Sequence, residues 1–277
     1  MPELPQMQAL SERVEDSLAG ATIEGFQVFG FSGLKTATPS TEELVGQSIE
    51  GTDRRGKYLI IKLDQARILV HLSQAGRLDI EIPAKKTKPK GSVVRMNFDR
   101  GALLIREYGT ERKAGWWILR PDDEGPMSRL GLEAMSEEFD EFLRSSDDRR
   151  QIHTLLRDQG TIAGIGRGYA DDILHRAKLS PFATLKSLPH DKRERLVEAV
   201  HDVLQEGIDK ERERSGGLSE PKLGEHFTVH RRSQTPCPVC AQTMQRVSFE
   251  SHEVTYCPNC QTGGKVLADR RLSRLLK

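Results

Sequence analysis

RQIHTLLRDQGTIAGIGRGYADDILHRAKLSPF, residues 150–182, is the stretch from which the rest of the chain is read. It sets one helical segment, a short turn holding Gly164, Ile165 and Gly166, and a second helical segment in succession. Glycine lets backbone approach another group closely, and a helix N-terminus presents N–H donors that suit a phosphate. The pattern fits either a phosphate-binding helix–turn–helix unit or an ordinary helical hairpin, and by itself it does not choose between them.

Downstream, Cys237, Cys240, Cys257 and Cys260 are the chain's four cysteines, and they fall into two C-x-x-C pairs, each with proline after its first cysteine. Two such pairs place four thiolates on two tight turns, which suits a tetrahedral ion. Four unrelated reduced cysteines are the bland alternative. The opening MPELPQMQAL is neither basic nor continuously apolar, so no secretion signal is expected, and the pattern favours metal over disulfides. One zinc per chain is expected, and with sulfur filling all four positions it is structural. From Phe227 onward Arg231, Arg232, Arg246, Lys265, Arg270, Arg271, Arg274 and Lys277 face only Glu250, Glu253 and Asp269, so this end is basic although the net charge is +1.

Upstream, Leu4, Met7, Leu10, Val14 and Leu18 recur at helical spacing and predict a leading amphipathic helix over 4–18. Short β-rich runs follow: Ile23 to Phe31, Tyr58 to Leu63, Ile68 to His71, Leu78 to Ile82, Val93 to Phe98, Leu103 to Arg106 and Trp116 to Leu119. Their regular spacing suggests a sandwich or barrel. RPDDEGP, residues 120–126, is a polar break; beyond it Ser136 to Ser145, Arg149 to Leu156 and Asp191 to Glu213 read as helical. A composition of 36% hydrophobic and 30% charged residues describes a soluble globular chain. A mean hydropathy of -0.55 and the lack of a long apolar run argue against a membrane span, so a cytoplasmic location is expected.

Two further features carry chemistry. Removal of Met1 leaves Pro2 with a free secondary amine, followed at once by Glu3. Such an amine attacks a carbonyl-like carbon to give an iminium, and a neighbouring carboxyl moves protons. Many chains begin Met-Pro without any such role. In RRGKYLI, residues 54–60, Lys57 follows a glycine and precedes a strand, which a charged hairpin turn also explains.

Taken together and in this order, MPELP, RRGKYLI, DQGTIAGIGRGYADDIL and CPVC…CPNCQ resemble the formamidopyrimidine-DNA glycosylase/endonuclease VIII family, over residues 1 to about 262. The resemblance implies an α+β multidomain protein. An N-terminal β-sandwich with a leading helix (1–125) precedes a helical helix–two-turn–helix domain (126–225), then a zinc β-hairpin with a basic tail (226–277). It implies a monomer that acts on damaged DNA and flips the target base out of the stack. It implies Pro2 as Schiff-base nucleophile, Glu3 as general acid/base and Lys57 as a phosphate contact beside the lesion.

The departures from the family pattern are as informative. Gln6 stands where the opening usually continues with Glu. Gln74, in HLSQAG, stands where a Met fills the vacated base space. RKAG supplies Arg112 but has Ala114 in place of an aromatic wedge. Arg167 replaces the Asn of G-I-G-N, His153 an upstream Lys, and His252 the hairpin Arg. The resulting DNA-binding set is Gln74, Arg112, Arg167, Arg232 and His252. Two readings follow: an active glycosylase/lyase with altered lesion preference, or a DNA-damage-binding paralogue with weak or no excision. The joint survival of Pro2, Glu3 and Lys57 favours the first.

Overall fold

The computed structural model describes residues 1–30, 32–109, 113–214, 227–249 and 252–268, with 249 and 252 described as backbone only. The chain forms two compact units, one comprising Met1–Arg129 and a stretch that begins at Ile208, the other comprising Leu130–Gly207 and the C-terminal region. Helix α5 (His190–Glu213) passes from the second unit into the first.

In the first unit α1 (Leu4–Leu18) is followed by two four-stranded antiparallel sheets. One has β1 (Ile23–Val28), β6 (Ser92–Phe98), β7 (Gly101–Glu107) and β5 (Gly76–Glu81) side by side in that order. The other has β2 (Ile49–Arg55), β3 (Tyr58–Leu63), β4 (Arg67–His71) and β8 (Gly115–Leu119). One core joins them: Met96, Leu103 and Ile105 from the first sheet, Ile61, Ile68 and Ile118 from the second, and Met7, Leu10, Val14 and Leu18 from α1. The helical spacing of those α1 residues is what turns a single face toward the sheets. The Phe26 and Trp116 rings, one from each sheet, stack with centroids 5.7 Å apart. Strand β2 was not expected from the sequence. IEGTDRR carries one buried residue, Ile49, and alternates weakly because this edge strand is half-exposed.

The second unit contains α2 (Glu137–Ser145), α3 (Ile152–Arg157) and α4 (Arg167–Arg176). Ser136 caps α2 by accepting from Phe139 N–H. Two short strands, β9 (Leu132–Glu133) and β10 (Ile162–Ala163), pair in parallel beside the α3–α4 turn. The turn is closed by one side chain: Gln159 Nε2 donates to the Ile165 carbonyl at 2.7 Å while its Oε1 accepts from Gly164 N–H at 3.1 Å. Gly164 has φ +103°, a conformation that favours glycine. Beyond residue 226 the chain forms the antiparallel hairpin β11 (Gln245–Phe249) and β12 (His252–Tyr256), then the short helix α6 (Pro258–Thr262). No helix among the described residues is long and apolar enough to cross a membrane.

The first unit buries an ion pair in its sheet. Arg95 (1% exposed) donates from Nε to Glu81 Oε2 (3% exposed) at 2.9 Å, and its remaining nitrogens reach Gln27 and the Thr87 carbonyl. Removing one member of a buried pair strands the other. Glu81→Ala is expected to cost about 3–5 kcal/mol in urea unfolding at pH 7, with Arg95 left unneutralised in the sheet.

Candidate functional site

Polar bonds fix how α1 lies on β2. Arg54 Nε donates to Gln8 Oε1 at 3.1 Å, Thr52 Oγ1 to the Ser11 carbonyl at 2.7 Å, and Thr52 N–H to Glu15 Oε2 at 2.5 Å. The helix therefore advances as the strand recedes. The start of α1, with Pro2 and Glu3, lies toward the end of β2 that runs into the Gly56–Lys57 turn. Pro2 and Glu3 are both buried. Glu3 is the N-cap of α1 and forms a reciprocal capping box with Gln6, whose Oε1 accepts from Glu3 N–H at 2.9 Å. A carboxylate so held points in one direction rather than sampling solvent.

Lys57 is 4% exposed, in the turn that joins β2 to β3, and Gly56 before it has φ +56°. Directly after this turn Tyr58 pairs with His71 across β3 and β4, their rings 4.8 Å apart. Burial, and then the Lys57 charge, push His71 down to about 4, so its imidazole is neutral at neutral pH. Gln74 is exposed in the following β4–β5 turn, and the Ala75 carbonyl of that turn accepts from Tyr108 N–H at 3.0 Å. One edge of the first unit therefore gathers Pro2, Glu3, Lys57 and Gln74, with His71 and the exposed Tyr108 beside them. Sequence reading passed over His71 because an isolated histidine at a strand end carries no motif.

Ala114 belongs to a different environment from the one its place in the family pattern suggested. It is 3% exposed within the core, and its N–H donates to the Glu107 carboxylate, as does that of Lys113. Arg112 lies outside the described residues.

The remaining sequence-predicted residues stand in the second unit. Arg167 opens α4 and is exposed, directly behind Gly166, the N-cap. Arg232 is exposed. His252 opens β12 opposite Phe249 at the hairpin end; its side chain lies outside the described residues. His153 is buried, not a surface contact: its Nε2 lies 3.0 Å from Asp171 Oδ1, and His230 Nδ1 lies 2.7 Å from Asp171 Oδ2. Burial raises the Asp171 pKa, but the hydrogen bonds to the two histidines outweigh it and hold the carboxyl below its ordinary range. Asp172 accepts from the N–H groups of Thr228, Val229 and His230 at 2.6–3.1 Å. These neighbouring acids of YADDIL tie α4 to the segment carrying Arg232.

The four cysteine sulfurs lie within 4.8 Å of one another, Cys240 and Cys257 at 3.5 Å and Cys237 and Cys260 at 3.9 Å. Sulfurs around a tetrahedral ion at about 2.3 Å stand nearly this far apart. Hydrogen bonding by the Asn259 side chain brings Cys240 down to about 6, whereas burial and the neighbouring thiols push Cys257 and Cys260 up. Crowding of this kind is what a divalent cation relieves, so the donor set fits a metal. Gln261 seats the cluster: its Oε1 accepts from Cys257 N–H and its Nε2 donates to the Leu179 carbonyl beyond α4.

The formamidopyrimidine-DNA glycosylase N-terminal domain matches residues 1–117, and the formamidopyrimidine-DNA glycosylase H2TH domain matches residues 130–217. A formamidopyrimidine-DNA glycosylase of Heliobacterium modesticaldum is 32% identical over 94% of this chain and 100% of its own. The chain belongs to the formamidopyrimidine-DNA glycosylase family. Another member-like relative, a formamidopyrimidine-DNA glycosylase-like protein of Mycobacterium tuberculosis, is 46% identical over 46% of this chain and 80% of its own. Among solved structures, wild-type Lactococcus lactis Fpg with DNA containing N7-benzyl-Fapy-dG superposes with a TM-score of 0.83 at 25% identity, covering 94% of this chain and 100% of that one. L. lactis Fpg with DNA containing an abasic site gives 0.82 at 24%, covering 94% and 99%. The family's fold is therefore present, with the β-sandwich, the helical unit and the cysteine-bearing hairpin that the sequence led one to expect.

Two measurements follow from this geometry. The folded-state pKa of His71, about 4, lies below the unfolded value near 6.5, so folding favours the neutral ring. The associated stability is present above pH 6.5 and is lost as pH falls toward 4. Urea unfolding should show a loss on the order of 2 kcal/mol between pH 7 and 4.5 that His71→Gln removes. For the cysteines, protein purified without chelators should carry about one divalent ion per chain, and Cys257→Ser should lose it; in zinc-finger peptides such a site supplies roughly 10–16 kcal/mol.

Proposed function

We propose that the protein is a DNA glycosylase with an associated abasic-site lyase activity, acting on damaged DNA through the Pro2 amine once Met1 is removed. The observation that supports the reading is that Pro2 and Glu3 begin α1 at the end of β2 that runs into the turn holding Lys57, and all three are buried. Relatives named as formamidopyrimidine-DNA glycosylases, aligned over 94% of the chain, support it.

In this reading the Pro2 nitrogen attacks C1′ of an extruded nucleotide, and the C1′–base bond breaks as Glu3 supplies a proton toward the sugar or the departing base. The amine gives up its proton and the C1′–O4′ bond then breaks with O4′ protonated, so the product is an iminium joining Pro2 to the opened sugar. An iminium acidifies the neighbouring C2′–H; loss of that proton expels the 3′ phosphate, which is the lyase step. Lys57 holds a phosphate beside the lesion, and neutral His71 next to it offers an N–H rather than a second charge. Arg167, Arg232 and His252, with Arg112, contribute contacts to the DNA. The four cysteines hold a structural zinc, which supplies folding energy to the hairpin and takes no part in the chemistry.

Lesion preference follows from what fills the stack after a base leaves. Apolar wedges commonly do this in proteins that kink DNA. Gln74 at the turn is polar, and Ala114 is buried with its N–H on Glu107. Abasic and already distorted DNA, which need less opening, are therefore preferred over 8-oxoguanine paired with cytosine.

Borohydride should trap a covalent adduct between the full-length protein and abasic duplex DNA. Glu3→Gln should lower release of a damaged base by about 10²–10⁴-fold. Single-turnover excision of 8-oxoguanine should run well behind abasic-site cleavage, and equal rates would remove the claim about the wedge. If no abasic or damaged duplex gives an adduct, the lyase reading is sunk.

A further inference from the structure

We propose that Glu211, in the last turn of α5, is a positioning residue for the Pro2–Glu3 chemistry and that it forms an obligatory acid–amide pair with Gln6. The inference rests on the reading of Pro2 as the nucleophile. Glu211 is 1% exposed, and its Oε1 accepts from Gln6 Nε2 at 3.0 Å, across 205 residues of sequence. The other end of the same amide, Gln6 Oε1, accepts from Glu3 N–H at 2.9 Å. That N–H belongs to the peptide joining Pro2 to Glu3. The pyrrolidine ring removes one backbone freedom from Pro2, so the torsion between the ring and this peptide is the one that aims the amine. A hydrogen bond that fixes the peptide plane fixes that torsion.

Hydrogen-bond chemistry dictates which residue types serve. Glu3 N–H is a donor, so the atom of residue 6 facing it must be an oxygen. The amide's nitrogen then faces position 211, which must accept, and a carboxylate does so strongly. Two carboxylates at 6 and 211 would stand about 3 Å apart and repel. The glutamine at position 6, a departure from the family's usual opening, is thus matched by an acid far along the chain.

The acid itself is held in place. Arg214 Nη2 donates to Glu211 Oε1 at 3.1 Å. Arg13, from α1, donates to the backbone carbonyls of Glu211 and of Arg214, the latter at 2.6 Å, which satisfies carbonyls at the end of α5. Arg212 forms an ion pair with Glu12 at 2.7 Å. The last turn of α5 is therefore locked to α1 at three successive points, and the Glu211–Gln6–Glu3 chain is the one that reaches the reacting amine. Misplacement of a reacting group by about 1 Å costs on the order of 10²-fold in rate.

The test compares full-length wild type, Q6E, E211L and the exchanged pair Q6E/E211Q. Each is assayed for borohydride trapping on abasic duplex DNA at saturating protein, for affinity to the same DNA, and for melting temperature. Q6E introduces a second carboxylate and E211L removes the acceptor; each should slow trapping at least tenfold while DNA affinity stays within threefold. The exchanged pair restores both hydrogen bonds and the charge, and should recover to within threefold of wild type. A folded Q6E or E211L that traps within threefold of wild type overturns the proposal. So does an exchanged pair that, though folded, traps no faster than Q6E or, if Q6E does not fold, than E211L. Failure of wild type to trap is a different outcome, since it overturns the Pro2 reading itself and the positioning role with it.

Discussion

The register of α1 along β2 is the constraint on which the candidate site depends. Three polar bonds, from Arg54, Thr52 Oγ1 and Thr52 N–H to Gln8, Ser11 and Glu15, run along one side of the helix, while Met7, Leu10, Val14 and Leu18 enter the core on another. Apolar burial alone would tolerate sliding of the helix along the sheet, because it has no direction. Hydrogen bonds between specific partners do not. They carry the helix start to the turn that holds Lys57, and the β3–β4 pairing then carries His71 and Gln74 to the same edge.

The second unit is organised on a different principle, with buried carboxylates at its centre. Asp171 and Asp172 leave adjacent positions of α4 and gather His153, His230, Thr255 N–H and the N–H groups of residues 228–230. A buried carboxylate without partners is costly, so this arrangement enforces its own completion. The cysteine cluster is joined to the same helix from its other end. His175 Nε2 lies 3.2 Å from Cys237 Sγ, and Gln261 reaches the Leu179 carbonyl. Sulfur-cluster geometry and helix placement are thereby coupled within this unit: loosening the cluster also withdraws support from the helix that opens with Arg167.

Much of this was legible in the sequence where structure is local. The spacing of Leu4, Met7, Leu10, Val14 and Leu18 gave a helix with the observed ends, Leu4–Leu18, and Tyr58–Leu63 was read as a strand in full. The paired C-x-x-C spacing predicted the sulfur cluster, since each pair forms within a single turn. Strand β2 escaped because its residues are half-exposed and charged, and it is the pairing with β3 and the cover of α1 that make it a strand. Motif order carried the family assignment because four weak local patterns seldom coincide in one chain by chance.

What the sequence by itself determined is therefore most of the elements, the four-cysteine cluster and the chemical identity of Pro2, Glu3 and Lys57. Only the tertiary structure decided which of these groups share an edge and what environment each has. Position 114 reads as a surface wedge lost to alanine, yet it is a core residue whose N–H serves Glu107. His153 reads as a replacement for an upstream Lys, and it is sealed against Asp171. Gln6 reads as a lost acid, yet an acid meets it from residue 211. The physical reason is the same in each case: burial and hydrogen-bond partnership depend on residues apart in sequence, which chain folding alone brings to 3.0–3.2 Å.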